Sequence, residues 1–310
     1  MNNIITIALN PAYDLHYNID KFVPFKENYV SSIRIEAGGK TVNISRVLHV
    51  NGTESVAYVV MGKDNCRDFV EQLTHDGFNF RSFYVNGRIR ENVTLHSEGM
   101  PETRISLDNF SIDDKVLDDL YNDMSKIVTE NTYIAFCGKV PRGVTLESVI
   151  NFLNRLKALG AKIAVDSNSF KTEDLLLVKP WLIKPNEQEI QSFSDKPIEN
   201  ADDAIVVAKK LCALGIENVM VSLGRAGAVL VNSDGAYEAH VPDIKVVSTI
   251  GAGDSTVAGF IAAASRGMDA KECFAVAQSY GCAACMSEGT LPPTPENIAY
   301  VRSEVEIIEK

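Results

Sequence analysis

The segment best suited to chemistry is Thr249-Ile-Gly-Ala-Gly-Asp-Ser255, which runs straight into the apolar stretch TVAGFIAAASRG. Gly251, Ala252 and Gly253 let successive backbone N–H groups crowd an anion at a helix N-terminus, where the helix dipole also favours negative charge. Asp254 stands in the first turn of that helix, aimed at the same point, and has two readings. It is a helix cap, a common use of Asp. Otherwise it accepts the proton of a hydroxyl that attacks a phosphoryl group, while the amides neutralise the transferring oxygens. The run lacks the Lys and the four-residue spacer of a P-loop, which argues against a Walker-type nucleotidase.

Four more segments carry usable groups. Leu182-Ile-Lys-Pro-Asn-Glu-Gln-Glu-Ile190 takes a strand through Pro185 into a helix and sets Asn186 and Glu189 three residues apart on one face. Such a pair orders water on Mg²⁺, an ion that takes few protein ligands, or it merely caps the helix. Val221-Ser-Leu-Gly-Arg-Ala-Gly-Ala-Val229 puts Ser222, Gly224 and Gly227 at a strand-to-strand turn where backbone can approach a nucleotide, although a glycine-rich hairpin is also simply a hairpin. In Asn10-Pro-Ala-Tyr-Asp14, at the end of the first strand, Asp14 can hold sugar hydroxyls or form a turn. Ala37-Gly-Gly-Lys-Thr-Val-Asn43 leads into a helix, with Gly38 and Gly39 open to close approach, Lys40 supplying charge and Asn43 an amide.

These groups must be positioned by elements that end at one place. Apolar runs at 4–9, 55–61, 132–137, 162–166, 181–184 and 218–223 predict strands, several of them buried on both faces. Helical spacing at 42–50, 68–75, 146–159, 201–214 and 252–266 is closed in each case by a glycine: Gly52, Gly77, Gly160, Gly215 and Gly267. The alternation predicts an α/β fold, a doubly wound, mostly parallel sheet with helices on both faces. Segments 17–36 and 79–107 break it, since YVSSIRIE, NVTLHS and ETRISL alternate polar and apolar residues, as strands with one solvated face do. They predict one small β-sheet made from two insertions, at about 13–36 and 87–108, lying as a lid over the carboxyl ends of the main strands. With no repeat, linker or low-complexity tract, residues 1–310 read as a single domain with that lid.

Composition narrows the partners. Of 310 residues, 30 are Lys or Arg and 41 Asp or Glu, a net charge of −11, and there is no basic run to meet a nucleic-acid backbone or an anionic membrane. No apolar run approaches the ~20 residues of a membrane span, and MNNIITIALNPAYD reads as a first strand and not a signal peptide. Six cysteines sit mostly in apolar segments, as reduced thiols of a cytoplasmic protein do. Cys282-Ala-Ala-Cys285 has the spacing of a redox or zinc pair, but it lies in a helical run without a second pair or nearby His and reads as a buried helix face.

Taken in order, NPAYD, GGKTVN, KPNEQE, VSLGRAGA and TIGAGDS resemble the ribokinase-like family in its phosphofructokinase-B branch, over residues 4–307. The resemblance implies ATP·Mg²⁺ as donor and transfer of its γ-phosphoryl group to a sugar CH₂OH. By position, Asp254 resembles the catalytic base and Gly251, Ala252 and Gly253 the anion hole. Asp14, Gly38, Gly39, Lys40 and Asn43 resemble sugar-site residues. Lys184, Asn186, Ser222, Gly224 and Gly227 resemble nucleotide positions, with Asn186 and Glu189 reaching Mg²⁺ through water. Arg90-Glu-Asn-Val93 and Thr103-Arg-Ile105 resemble segments that grip a phosphate already on the sugar, a sensible use of Arg90 and Arg104 in an acidic chain.

The implied acceptor is a ketohexose monophosphate, fructose 1-phosphate or tagatose 6-phosphate ahead of fructose 6-phosphate, giving the bisphosphate. A neutral-sugar or nucleoside kinase and a weakly catalytic sugar-phosphate-binding regulator are the alternatives. Three stretches depart from the family pattern. Cys137-Gly-Lys-Val-Pro141 puts Lys139 where a small hydroxyl residue is usual, and Lys26-Glu-Asn-Tyr-Val30 and Leu107-Asp-Asn-Phe110 replace glycine-containing runs. The open edges of lid strands make a homodimer through the lid the expected assembly.

Overall fold

The computed structural model describes residues 3–101, 103–108 and 110–310. Glu102, which opens the ETRISL run, and Asn109 of the Leu107-Asp-Asn-Phe110 stretch lie outside the described residues. The first third of the chain forms β1 (Asn3–Ala8), β2 (Ala12–Ile19), β3 (Ser32–Gly38), α1 (Lys40–Val50), β4 (Val56–Gly62), α2 (Cys66–Asp76), β5 (Asn79–Val85), β6 (Arg90–Ser97) and β7 (Thr103–Ser106). Then follow α3 (Asp114–Met124), β8 (Thr132–Cys137), α4 (Leu146–Ala158), β9 (Lys162–Asp166), α5 (Thr172–Val178), β10 (Leu182–Ile183) and α6 (Glu187–Gln191). The remainder is α7 (Ala201–Ala213), β11 (Asn218–Ser222), β12 (Ala228–Asn232), β13 (Gly235–His240), α8 (Ala252–Ser265), α9 (Ala270–Ala284), α10 (Pro295–Glu304) and β14 (Glu306–Glu309).

Ten strands form one sheet in the order β14-β13-β12-β11-β10-β9-β8-β1-β4-β5. It is parallel from β5 to β11, and β12, β13 and β14 continue it antiparallel. Alternate side chains of a strand serve opposite faces. Ile5 and Ile7 of β1 join a core with Phe69 of α2, Leu120 of α3 and Leu153 of α4, while Ile4 joins a second core with Leu48 of α1, Phe260 of α8 and Phe274 of α9. Helices therefore cover both faces, as the alternation predicted. Trp181 fills the second core between Tyr133 and Phe260, with ring centroids 4.9 and 5.4 Å away. Among the described residues no helix is long and apolar enough to cross a membrane.

Helix α8 is Ala- and Gly-rich because α9 lies close against it. A Cβ on Gly259 would come within 3.1 Å of the Ala277 Cα, and one on Gly281 would meet Thr256 and the Ala252 carbonyl of the first turn of α8. Small residues at these crossings fix where the N-terminus of α8 points.

The second sheet has the order β3-β2-β6-β7. Register assigns its faces. Asp14 is opposite Glu36 and Asn92, His16 opposite Arg34 and Thr94, and Thr94 opposite Arg104, so all of these share one face. Leu15, Tyr17, Ile33, Ile35, Val93, Leu95 and Ile105 share the other. The polar face turns toward the carboxyl ends of the large sheet.

Two expectations need correction. Segment 79–107 does not belong wholly to the small sheet, because β5 is the outer strand of the large one, parallel to β4. Its alternating half-exposed pattern is that of an edge strand, which period-2 spacing does not distinguish from a lid strand. Nor does Asp14 sit at the end of the first strand: β1 stops at Ala8, and the chain passes through Asn10 and Pro11 directly into β2, with Asp14 its third residue.

Candidate active site

Between the strand ends and the polar face of the small sheet lies a cleft of about 1220 Å³. A side cavity of about 370 Å³ adjoins it and shares Gly39, Lys40, Arg90, Ser106 and Glu189 with it.

At the floor, Gly251 is the N-cap of α8 in the left-handed region, φ 80°, a conformation Gly adopts without strain. The cap is thus a glycine. Asp254, the third helical residue, is turned to Asn43 instead, whose Nδ2 donates to Asp254 Oδ2 at 2.9 Å. Ala252 N–H makes only a long bond to Thr249 O, 3.4 Å, and Gly253 lies in the same first turn, where no carbonyl lies four residues back within the helix; both are on the cleft wall and point a positive dipole end at the space beside Asp254. A Cβ at Gly253 would lie 3.1 Å from Lys184 Nζ, so the bare glycine lets the ammonium approach this turn.

Around Asp254 the charges are shared among four residues. Asp166, at the end of β9 and 4% exposed, stands between two lysines: Lys40 Nζ donates to its Oδ2 at 3.1 Å, and Lys184 Nζ is 3.9 Å from its Oδ1. Burial works against the Asp166 carboxylate, but Lys184 and Lys40 outweigh it and hold its pKa below the usual range. Burial likewise opposes the charge on Lys40, and Asp166 and Asp254 overcome it and push Lys40 up. Asp254 comes out the other way. Burial pushes it up to about 7 despite Lys40, Asn43 and Lys184, and Asp166 adds to the rise. One carboxylate of the pair stays ionised while the other is poised near neutrality, the condition of a general base.

Toward the small sheet, Asp14 Oδ1 accepts from Asn92 Nδ2 at 2.9 Å and lies 4.0 Å from Arg104 Nη2. Gly38 is absent from the wall and sits beneath Asp14, where a side chain would strike its Oδ2. Arg90 Nη1 donates to Asn92 Oδ1 at 3.1 Å; burial lowers its pKa, while Asp14 and Asp108 support its charge. Lys139 is exposed on the rim of the side cavity, which Arg90 and Lys40 also line.

The cleft is also lined by Asn186, Ser222, Gly224 and Gly227, and by Glu189, which reaches the side cavity as well. Asn186 Oδ1 accepts from Glu189 N at 2.8 Å and Glu189 Oε2 from Asn186 N at 3.0 Å, a reciprocal cap of α6. The hairpin joining β11 to β12 carries Gly224 and Gly227. Cys282 and Cys285 are partly buried on the last turn of α9 and line the cleft, where a wholly buried face was expected.

The predicted residues thus converge on one cleft and its side cavity, with Gly38 just below the surface. Asp166, Asn92 and Thr290 were missed. Asp166 had a signal, a carboxylate ending the strand run Lys162-Ile-Ala-Val165; Asn92 lay within the singled-out Arg90-Glu-Asn-Val93, but its contact with Asp14 depends on sheet register, and Thr290 had no signal, since its place depends on the return of a distant loop.

The model of the pfkB family carbohydrate kinases matches residues 3–297. The chain is 32% identical over 278 residues to a 1-phosphofructokinase of Haemophilus influenzae, covering 89% of each. It is 28% identical over 309 residues to a tagatose-6-phosphate kinase of Staphylococcus epidermidis, covering 99% of each. The crystal structure of phosphofructokinase-2 from Escherichia coli in complex with fructose-6-phosphate superposes with a TM-score of 0.91 at 21% identity, over 98% of this chain and 99% of that one.

The charge arrangement has a direct check. With aspartate carboxyl carbons isotopically labelled, the Asp254 resonance titrates near pH 7. In Asp166→Asn its midpoint moves to lower pH, because a negative charge that favours its proton is gone while Lys40 and Lys184 remain. An unmoved midpoint would mean that the two carboxylates are not coupled.

Proposed function

The chain belongs to the pfkB family of carbohydrate kinases, and on that footing we propose that it transfers the γ-phosphoryl group of ATP to a primary hydroxyl of a ketohexose monophosphate, giving the bisphosphate. The reading rests on one juxtaposition: Asp254, buried at the start of α8, shares a cleft with the paired guanidinium groups of Arg90 and Arg104. The first suits a hydroxyl that must lose a proton. The second suits an acceptor that already carries a phosphate, with Lys139 at the same rim. Fructose 1-phosphate and tagatose 6-phosphate are the leading acceptors, ahead of fructose 6-phosphate.

In this mechanism Asp14 and Asn92 hold ring hydroxyls and the acceptor CH₂OH lies against Asp254. Its oxygen bonds to the γ-phosphorus as its proton passes to Asp254, and the bond to the leaving ADP oxygen breaks. The first-turn amides at Gly251, Ala252 and Gly253 and the ammonium groups of Lys184 and Lys40 balance the charge on the transferring oxygens. Lys184, Ser222, Gly224 and Gly227 lie where they can receive the nucleotide. Asn186 and Glu189 fit Mg²⁺, since they present hard oxygen donors to the cleft and their mutual cap leaves carboxylate lone pairs over. When bound, the ion supplies charge neutralisation on the β- and γ-phosphates. Residues 1–310 then act as one kinase domain with the small sheet as its lid, in the cytoplasm.

For assembly we propose a homodimer through the lid. The face opposite the site exposes Ile33 and Ile35 on the edge strand β3 and Ile105 on the other edge strand β7, at 58, 49 and 49% of their surface, with half-buried Tyr17, Val93 and Leu95 on the strands between them. A contiguous apolar sheet face of this kind marks an interaction site, and a second copy offers the matching apolar face.

Three outcomes are expected. ADP release with Mg·ATP, measured across fructose 1-phosphate, tagatose 6-phosphate, fructose 6-phosphate, fructose, ribose and adenosine, favours one phosphosugar, and Asp254→Asn lowers kcat by about 10²–10⁴-fold while the protein stays folded. Turnover confined to unphosphorylated acceptors would remove the phosphate grip, and retained turnover in the variant would remove the base. Arg90→Ala raises KM for the phosphosugar by roughly 10–100-fold, the worth of hydrogen bonds to a charged group, and leaves KM for ATP near its parent value. Sedimentation gives a dimer for the parent and a monomer for Ile35→Asp; an unchanged mass would place any interface elsewhere.

A further inference from the structure

Glu36 lies in β3, directly across from Asp14 and on the same face of the lid. Its carboxylate leaves the sugar side of the cleft and meets a different part of the molecule, the 288–290 segment that follows α9. Thr290, 6% exposed, donates its hydroxyl to Glu36 Oε2 at 3.2 Å. Arg34, the next residue of β3 on that face, reaches the same segment with its Nη1 3.7 Å from Glu288 Oε2, and its Nε lies 3.6 Å from Glu36 Oε1. The His16 ring packs over Gly289 from β2, with its Nε2 3.9 Å from Glu36 Oε2.

The other side of Thr290 bears on the reacting centre. A Cβ placed on Gly251 would lie 3.6 Å from Thr290 Cα, an ordinary van der Waals contact, so the backbone at 290 packs on the glycine that starts α8 and opens the anion hole. One hydrogen bond therefore spans the two halves of the site. On one side is the strand pair that carries Asp14; on the other is the turn whose amides face the transferring phosphoryl group.

We infer that the Glu36–Thr290 hydrogen bond couples the two substrate sites: a sugar phosphate that fixes β2 and β3 also fixes Thr290 against Gly251, and so favours binding of the nucleotide phosphates at the α8 N-terminus. The inference rests on the kinase reading above. Glu36 and Thr290 are positioning residues here, acting through Asp14's strand pair and through Gly251. The bond is part-buried, with Glu36 16% exposed, and its loss on one side leaves a largely shielded partner unpaired. Coupling of this kind is reciprocal, so the nucleotide tightens the sugar by the same factor.

The test is calorimetric titration of a non-hydrolysable ATP analogue with Mg²⁺, in the absence and presence of saturating phosphosugar. The parent protein binds the nucleotide several-fold to about a hundredfold more tightly when sugar is bound, the ordinary range of coupling between sites. Thr290→Val keeps the shape and removes the hydroxyl; its ratio falls toward unity, whatever its affinity for the nucleotide alone. Thr290→Ser and Glu36→Gln, which keep a donor and an acceptor, retain the parent ratio. A general loss of stability would weaken nucleotide binding with or without sugar and leave the ratio alone. A parent ratio of unity, or a parent-like ratio in Thr290→Val, overturns the inference while the kinase reading stands. Failure of any phosphosugar to bind the parent overturns both.

Discussion

The cleft depends on the burial of Asp166 between Lys40 and Lys184. Burying a lone ion costs several kcal/mol, and Asp166 and Lys184, both buried, stay charged because each has the other nearby and Asp166 is also met by the partly exposed Lys40. Each comes from a different element: Lys40 opens α1, Asp166 ends β9, and Lys184 follows β10. The neighbouring parallel strands β9 and β10 deliver Asp166 and Lys184 to one crevice, and α1, entered from β3 of the small sheet, brings Lys40 to it. With Asp254 protonated, this group of four carries one net positive charge; with Asp254 ionised, it is neutral. Removing Asp166 would leave the buried Lys184 without its carboxylate partner and close to a second cation, Lys40, on the cleft wall.

The small sheet solves a different problem. A sheet that walls the cleft must be polar on that face and must still find enough apolar area to hold together, and four short strands have no interior of their own. Its outward residues Tyr13 and Leu15 pack into the core beside Phe69 of α2, where the Tyr13 ring meets Phe69 edge to face at 5.1 Å. That anchors one end of the small sheet. Farther out, Ile33, Ile35 and Ile105 stay about half exposed.

How much of this was legible in the sequence differs by residue for a physical reason. The Gly251-Ala-Gly-Asp254 turn could be read because what it needs is local: backbone without side chains, then a helix. The βα alternation was legible on the same terms, and so was the strand-Pro-helix start at Lys184 to Glu189. Asp254's choice between capping and chemistry was not, because it turns on Asn43, which arrives from α1. Asn92 owes its bond with Asp14 to a parallel register between β2 and β6 that a one-residue slip would abolish. The strand β5 misled because an edge strand and a lid strand have the same period.

The chain carries a net charge of −11, while the cleft that receives its anionic ligands is walled by Lys40, Lys184, Arg90 and Arg104. These two fields have different reach. At distances beyond the screening length, about 8 Å at physiological ionic strength, an approaching nucleotide or phosphosugar is affected mainly by ions of the medium. At low ionic strength the whole acidic surface repels it first, and the attraction of the cleft is felt only near the mouth. Added salt therefore weakens the final grip but also lowers the barrier to arrival, so the dependence of capture on ionic strength is set by two opposing slopes rather than by one.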